Sequence, residues 1–142
     1  MAVYRELSGL GLNLIYSGIS IHLSESESEI WATTEAGRAL EPYLRERPAL
    51  DDSSGWQARL RGEDYYHSRA EGEELKSNWR DAISRGHPAE SLPVEEWPTK
   101  VDSYAIYFDR GNVLVGSREP IAHEYLMIIK RFGEVFGYAH SR

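Results

Sequence analysis

Between Tyr104 and His140 the chain reads YAIYFDRGNVLVGSREPIAHEYLMIIKRFGEVFGYAH, two alternating stretches around a tight turn followed by a long run of helical period. Ile121, Tyr125, Ile128, Ile129, Phe132, Val135, Phe136 and Ala139 recur on one side, and His123, Lys130, Arg131 and Glu134 fall opposite. That spacing predicts an amphipathic helix whose apolar side needs a second layer. Each stripe side chain contributes about 1.5 to 2.5 kcal/mol on burial, and ordering each residue costs about 1.5 kcal/mol. The helix therefore does not stand alone. The faces bearing Ile15, Ile19 and Ile21, and Tyr104, Ile106 and Phe108, are the candidates to lie beneath it. Asp109 to Asn112 form the hairpin tip, a turn-forming composition in which Gly111 can take positive φ without strain. Pro120 is expected at the first helical position, where a missing N–H costs nothing.

Upstream, Val3, Leu7 and Leu10 have i, i+4, i+7 spacing ahead of Gly11, which reads as a helix over 2–9. The period then becomes two. Ile15, Ile19, Ile21 and Leu23 point one way, and Leu14, Tyr16, Gly18, Ser20 and His22 the other. The SESESE run from Ser24 to Glu29 reads as an exposed acidic turn before a strand over 29–34. Ala39, Leu40, Tyr43 and Leu44 suggest a helical turn kinked at Pro42. A helix over 56–60, a strand over 64–69 and a helix over 73–84 follow, the last with Leu75, Trp79, Ala82 and Ile83 as its apolar stripe. The stretch 85–100 has Pro88, Pro93 and Pro98 and no periodicity, yet also Val94 and Trp97. A loop of that length with apolar anchors reads as a flap. The order of elements is that of an α+β domain, an antiparallel sheet with the N- and C-terminal helices on one face. At 142 residues it is a single domain, 1–142.

The formal charge of −7 and the scattering of Arg45/Arg47, Arg59/Arg61 and Lys130/Arg131 among carboxylates argue against a nucleic-acid partner. The absence of cysteine removes disulfides, thiolate nucleophiles and thiol metal sites. MAVYRELSGLGL has neither the basic start nor the apolar run of a signal peptide, and no stretch suits a membrane span, so a cytoplasmic location is expected. Histidines at 22, 67, 87, 123 and 140 lack metal-ligand spacing, and no GxSxG, P-loop or GxGxxG is present, so neither a metal site nor a catalytic residue is expected.

The closing segment EPIAHEYLMIIKRFGEVFGYAHSR resembles the end of a GAF-like sensor domain at the front of multidomain bacterial signalling proteins of the histidine kinase and adenylate cyclase type, where it runs roughly EPLsEeyldIlkRFakVFEqtYtRF. The middle segment GEDYYHSRAEGEELKSNWRDAI resembles the part of the same domains where a strand meets a GeeL helix start. Gly137 stands where those relatives tend to carry Glu, and the helical lead before Val3 is shorter. The resemblance implies a GAF or PAS type fold and a non-catalytic sensory or regulatory role. It also implies a homodimer through the terminal helices, with any output domain supplied in trans.

Beside the apolar stripe, Ala122, Leu126, Gly133 and Gly137 make a shoulder of small and apolar residues. Glycine in a helix costs about 1 kcal/mol relative to alanine, so Leu126, Gly133 and Gly137 are expected to admit another helix, the chain's own first one or a partner's. The sheet face away from the terminal helices is expected to present Tyr16, Ser20, His22, Trp31 and Tyr107, roofed by Tyr66, His67 and Trp79. Aromatic walls with a few polar groups suit an unidentified small-molecule ligand, and they equally suit an ordinary core. No cofactor is indicated. Two other functions fit the same residues: a small lyase or isomerase with His22 or His67 as base, and a pocketless adaptor that binds protein through shoulder and flap.

Overall fold

Alternation from Leu14 onward builds β1 (Leu14–His22), which turns back into β2 (Glu27–Thr33). The turn is closed by the Leu23 and Ser24 N–H groups, both donating to the Glu27 carbonyl. β3 (Tyr43–Glu46), α1 (Ser54–Leu60), β4 (Tyr65–Glu71), α2 (Gly72–Ser84), β5 (Lys100–Phe108), β6 (Gly111–Ser117) and α3 (His123–His140) follow. The computed structural model describes residues 9–12, 14–33, 41–46, 54–84 and 99–140, with Ala32, Thr33, Asn78, Trp79, residues 81–84 and His140 by backbone alone. Residues 2–8 of the expected helix over 2–9 and nearly all of the expected flap over 85–100 lie outside the described residues.

The strands form one six-stranded sheet in the order β3-β2-β1-β6-β5-β4, antiparallel at every pairing. Two local meanders, β1-β2-β3 and β4-β5-β6, thus meet at a central β1–β6 seam where Ile19 faces Val113. Helix α3 lies across one face. Leu14, Ile19, Ile21, Tyr104, Ile106, Phe108, Val113 and Val115 of the sheet enclose a core with Ile121, Leu126 and Ile129. The chain is therefore α+β, with its C-terminal helix on one side of an antiparallel sheet.

Several local expectations change. Residues 43–46 form a strand rather than a helical turn, because Tyr43 and Leu44 pair with Ile30 and Glu29 at the outer side of β2. Pro42 stands just ahead of the strand, where its missing N–H removes no ladder bond. A register shift between Leu14 and Tyr16 puts a bulge in β1. The extra residue sends Ile15 to the opposite face, against Val101 and Leu75, while Leu14 joins Ile19 and Ile21.

Helix α3 is rotated from the expected orientation. Val135 is 69 % exposed, whereas Leu126 and Ile129 are buried and Gly133 and Gly137 lie with them against the sheet. The helix begins at His123, with the Ala122 carbonyl accepting the first N–H bonds, so Pro120 precedes it instead of opening it. Gly111 has no positive φ. Its lack of a side chain matters because a Cβ there would run into the Ser20 carbonyl oxygen.

Candidate functional site

On the sheet face away from α3, strand alternation brings together Tyr16, Ser20 and His22 of β1, Tyr66 of β4 and Tyr107 of β5. Helix α1 sits over one end of them. The Tyr107 hydroxyl donates to the Gly55 carbonyl, the Tyr66 ring lies next to Gly55, and the Trp56 and His22 rings meet at 5.9 Å between centroids. Arg59 is the fastener of this arrangement. Its guanidinium donates to the carbonyls of Gly111 at 2.8 Å, Phe108 at 2.9 Å and Asp109 at 3.0 Å, which ties α1 to the β5–β6 turn. The same group lies 5.6 Å from the Tyr107 ring centroid.

At the other end of this face Tyr16 spans β6. A Cβ on Gly116 would collide with the Tyr16 ring, and the Tyr16 hydroxyl donates to Ser103 Oγ at 3.1 Å. Leu75 of α2 packs beside Ile15 and Val101 there. Burial raises the Tyr16 phenol above its ordinary value, although the bond to Ser103 pulls the other way. Burial likewise pushes Tyr107 up to about 12, opposed by the Arg59 charge. These phenols stay protonated, so Tyr16 and Tyr107 offer neutral hydrogen-bonding groups between aromatic rings.

Trp31 and His67 are placed elsewhere, on the α3 side of the sheet. Trp31 meets Phe136 edge to face at 6.1 Å and its Nε1 donates to Glu29 Oε1 at 2.9 Å. His67 stacks on Tyr104 of the α3-side core, with ring centroids 4.3 Å apart and planes within 7°. The Trp79 side chain lies outside what is described. Leu126, Gly133 and Gly137, the expected shoulder for a second helix, face the sheet of their own chain: a Cβ on Gly133 would lie 2.7 Å from both Phe108 Cδ1 and Val113 Cγ2.

Two functional-looking groups escape sequence reasoning. Arg59 reads as one of several scattered basic residues, and only the fold brings it to the turn at 108–111. Asp102 reads as an ordinary polar strand residue, yet it is fully buried and accepts bonds from His67 and Arg69. Burial works to raise its carboxyl, but the bonds and charges of His67 and Arg69 outweigh it and hold the group below its ordinary value. No cluster of three or more His, Cys, Asp or Glu side chains suited to a metal occurs among the described residues, and no helix among them is long and apolar enough to cross a membrane. Compared with models of known families, with curated proteins and with solved structures, the chain has no significant match in any of the three.

Proposed function

We propose that the chain is a non-catalytic sensory domain of the GAF type that binds a small ligand on the sheet face away from α3 and reports occupancy through α3 to a homodimeric partner and an output domain supplied in trans. The observation that carries this reading is the unequal treatment of the two sheet faces. One is sealed by α3 over a continuous apolar core. The other carries Tyr16, Ser20, His22, Tyr66 and Tyr107, with a short helix held by polar bonds over the His22, Tyr66 and Tyr107 end alone.

A route for the signal lies in β5. Tyr107 belongs to the ligand face, its neighbour Phe108 packs under Gly133 and Gly137 of α3, and the Tyr107 carbonyl accepts Lys130 Nζ of α3 at 2.8 Å. A ligand that displaces the Tyr107 end of β5 therefore alters two contacts of α3 at once. The shift requires different affinities for the two α3 positions.

The test is a thermal-shift screen of the protein against nucleotides, haem, flavins and aromatic metabolites. A ligand at 100 times its Kd adds about 2.7 kcal/mol of stability, and Tyr107→Ala and Tyr16→Ala should remove that gain. A panel that leaves the melting temperature unmoved, or a gain that survives both substitutions, ends this reading.

A further inference from the structure

Among the described residues Asp102 is the charged side chain that the fold buries completely. It lies on the α3 side of β5, directly across from Arg69 of β4 and Ser117 of β6. Its two oxygens are used unequally. Oδ1 takes both His67 Nε2 at 2.8 Å and Arg69 Nε at 3.1 Å, while Oδ2 is buried without a hydrogen-bond partner. A buried acceptor left without a donor is destabilising. A core residue kept at that cost aligns the two half-exposed side chains that it touches.

What it aligns is specific. The carboxylate accepts from His67 Nε2, and stacking on Tyr104 fixes the ring plane, so in the neutral ring Nδ1 is an oriented acceptor. Arg69 spends Nε on Asp102 and is 44 % exposed, and among the described residues its terminal nitrogens have no partner. Both side chains project from the same side of β4, which ends the sheet and leaves them open to solvent.

We infer that His67 and Arg69 form a receptor for a small protonated oxyanion, a hydrogen phosphate or a hydroxycarboxylate, with Asp102 as its positioning residue. The Arg69 fork takes two ligand oxygens, the geometry in which guanidinium groups hold carboxylate and phosphate. His67 Nδ1 accepts the ligand hydroxyl. Asp102 offsets the Arg69 charge, so the site selects by geometry more than by charge. This site lies on the opposite side of the sheet from the proposed sensory face and stands or falls separately.

The test is an amide NMR titration of the whole chain with inorganic phosphate, glycolate and acetate at constant ionic strength in sodium chloride. Saturable shifts confined to 65–71 and 100–104 are expected with phosphate and glycolate, and weaker ones with acetate, which lacks the hydroxyl. Arg69→Gln should weaken binding about tenfold or more, the loss of a charge-assisted pair. Asp102→Asn separates positioning from simple charge: removing a negative group tightens an unstructured basic patch, whereas an aligned receptor loosens. If that variant loses its dispersed spectrum, His67→Phe keeps the stacking and removes the acceptor, and phosphate and glycolate should then fall to the level of acetate. Tighter binding in Asp102→Asn, full binding in Arg69→Gln, equal effects of His67→Phe on all three anions, or no saturable shift overturns the assignment.

Discussion

Gly133 of α3 lies against the ring of Phe108 on β5, so closely that a methyl group on its Cα would sit 2.7 Å from Phe108 Cδ1. Glycine is there for the approach of helix to sheet. Alanine would gain about 1 kcal/mol of helix propensity, while overpacking of this kind costs about 1 to 3 kcal/mol. Gly133→Ala is therefore expected to lower stability in urea unfolding, and Gly133→Leu to lower it much further. Glu134→Ala, at the exposed neighbouring position, serves as the reference. A stabilised Gly133→Ala would mean that α3 stands off the sheet.

Arg59 holds three carbonyls of the β5–β6 turn with one guanidinium. Arg59→Met keeps much of the aliphatic stem and removes the donors, an expected loss of about 1.5 to 3 kcal/mol. Amide exchange should accelerate at the turn and through α1, leaving β2 as protected as before. Uniform acceleration across the whole sheet would argue instead for global destabilisation without a local fastener.

Burial pushes Tyr43 and Tyr107 up to about 12. For an acid raised in the folded state, the stabilisation is complete below the ordinary value of 10.0 and is lost as pH climbs towards about 12. Absorbance titration of the nine tyrosines should therefore show a late phase, diminished in Tyr107→Phe. A single phase near the ordinary phenol value in native protein would contradict the burial of these rings.

Asp102 behaves in the opposite sense. Its folded carboxyl lies below the ordinary 3.8, so its contribution is present above that value and disappears as pH falls through the lower folded one. Urea midpoints followed from pH 5 downwards should show a shallower acid limb in Asp102→Asn than in the parent. Identical limbs would mean that the bonds from His67 and Arg69 do not persist in solution.

The hairpin of β5 and β6 and the existence of α3 are legible from periodicity and turn chemistry alone. The rotation of α3 is not, because hydrophobic pattern weights Val135 and Ile128, whereas close approach centres the interface on Gly133 and Gly137, which have no side chain to weigh. Ile15 shares its spacing with Ile19 and Ile21, and the bulge that sends it to the other face is set by pairing with a strand from the far end of the chain. Tyr16, Ser20, His22 and Tyr107 share one face, whereas Tyr66, expected in the roof, belongs to the sheet itself as part of β4. The His67–Asp102 contact is invisible in sequence, because it depends on the register that sets Arg69 across from Asp102.

The seam between β1 and β6 has a kinetic corollary. Each meander can zip up from nearby residues, but Ile19 meets Val113 only after most of the polypeptide has been gathered in. Contacts so distant along the chain are slow to form because loop closure precedes any reward. Mutations at the seam, such as Ile19→Val, should therefore retard refolding less than equally costly ones inside either hairpin and act mainly by speeding unfolding, which makes the middle of the sheet the last piece to lock.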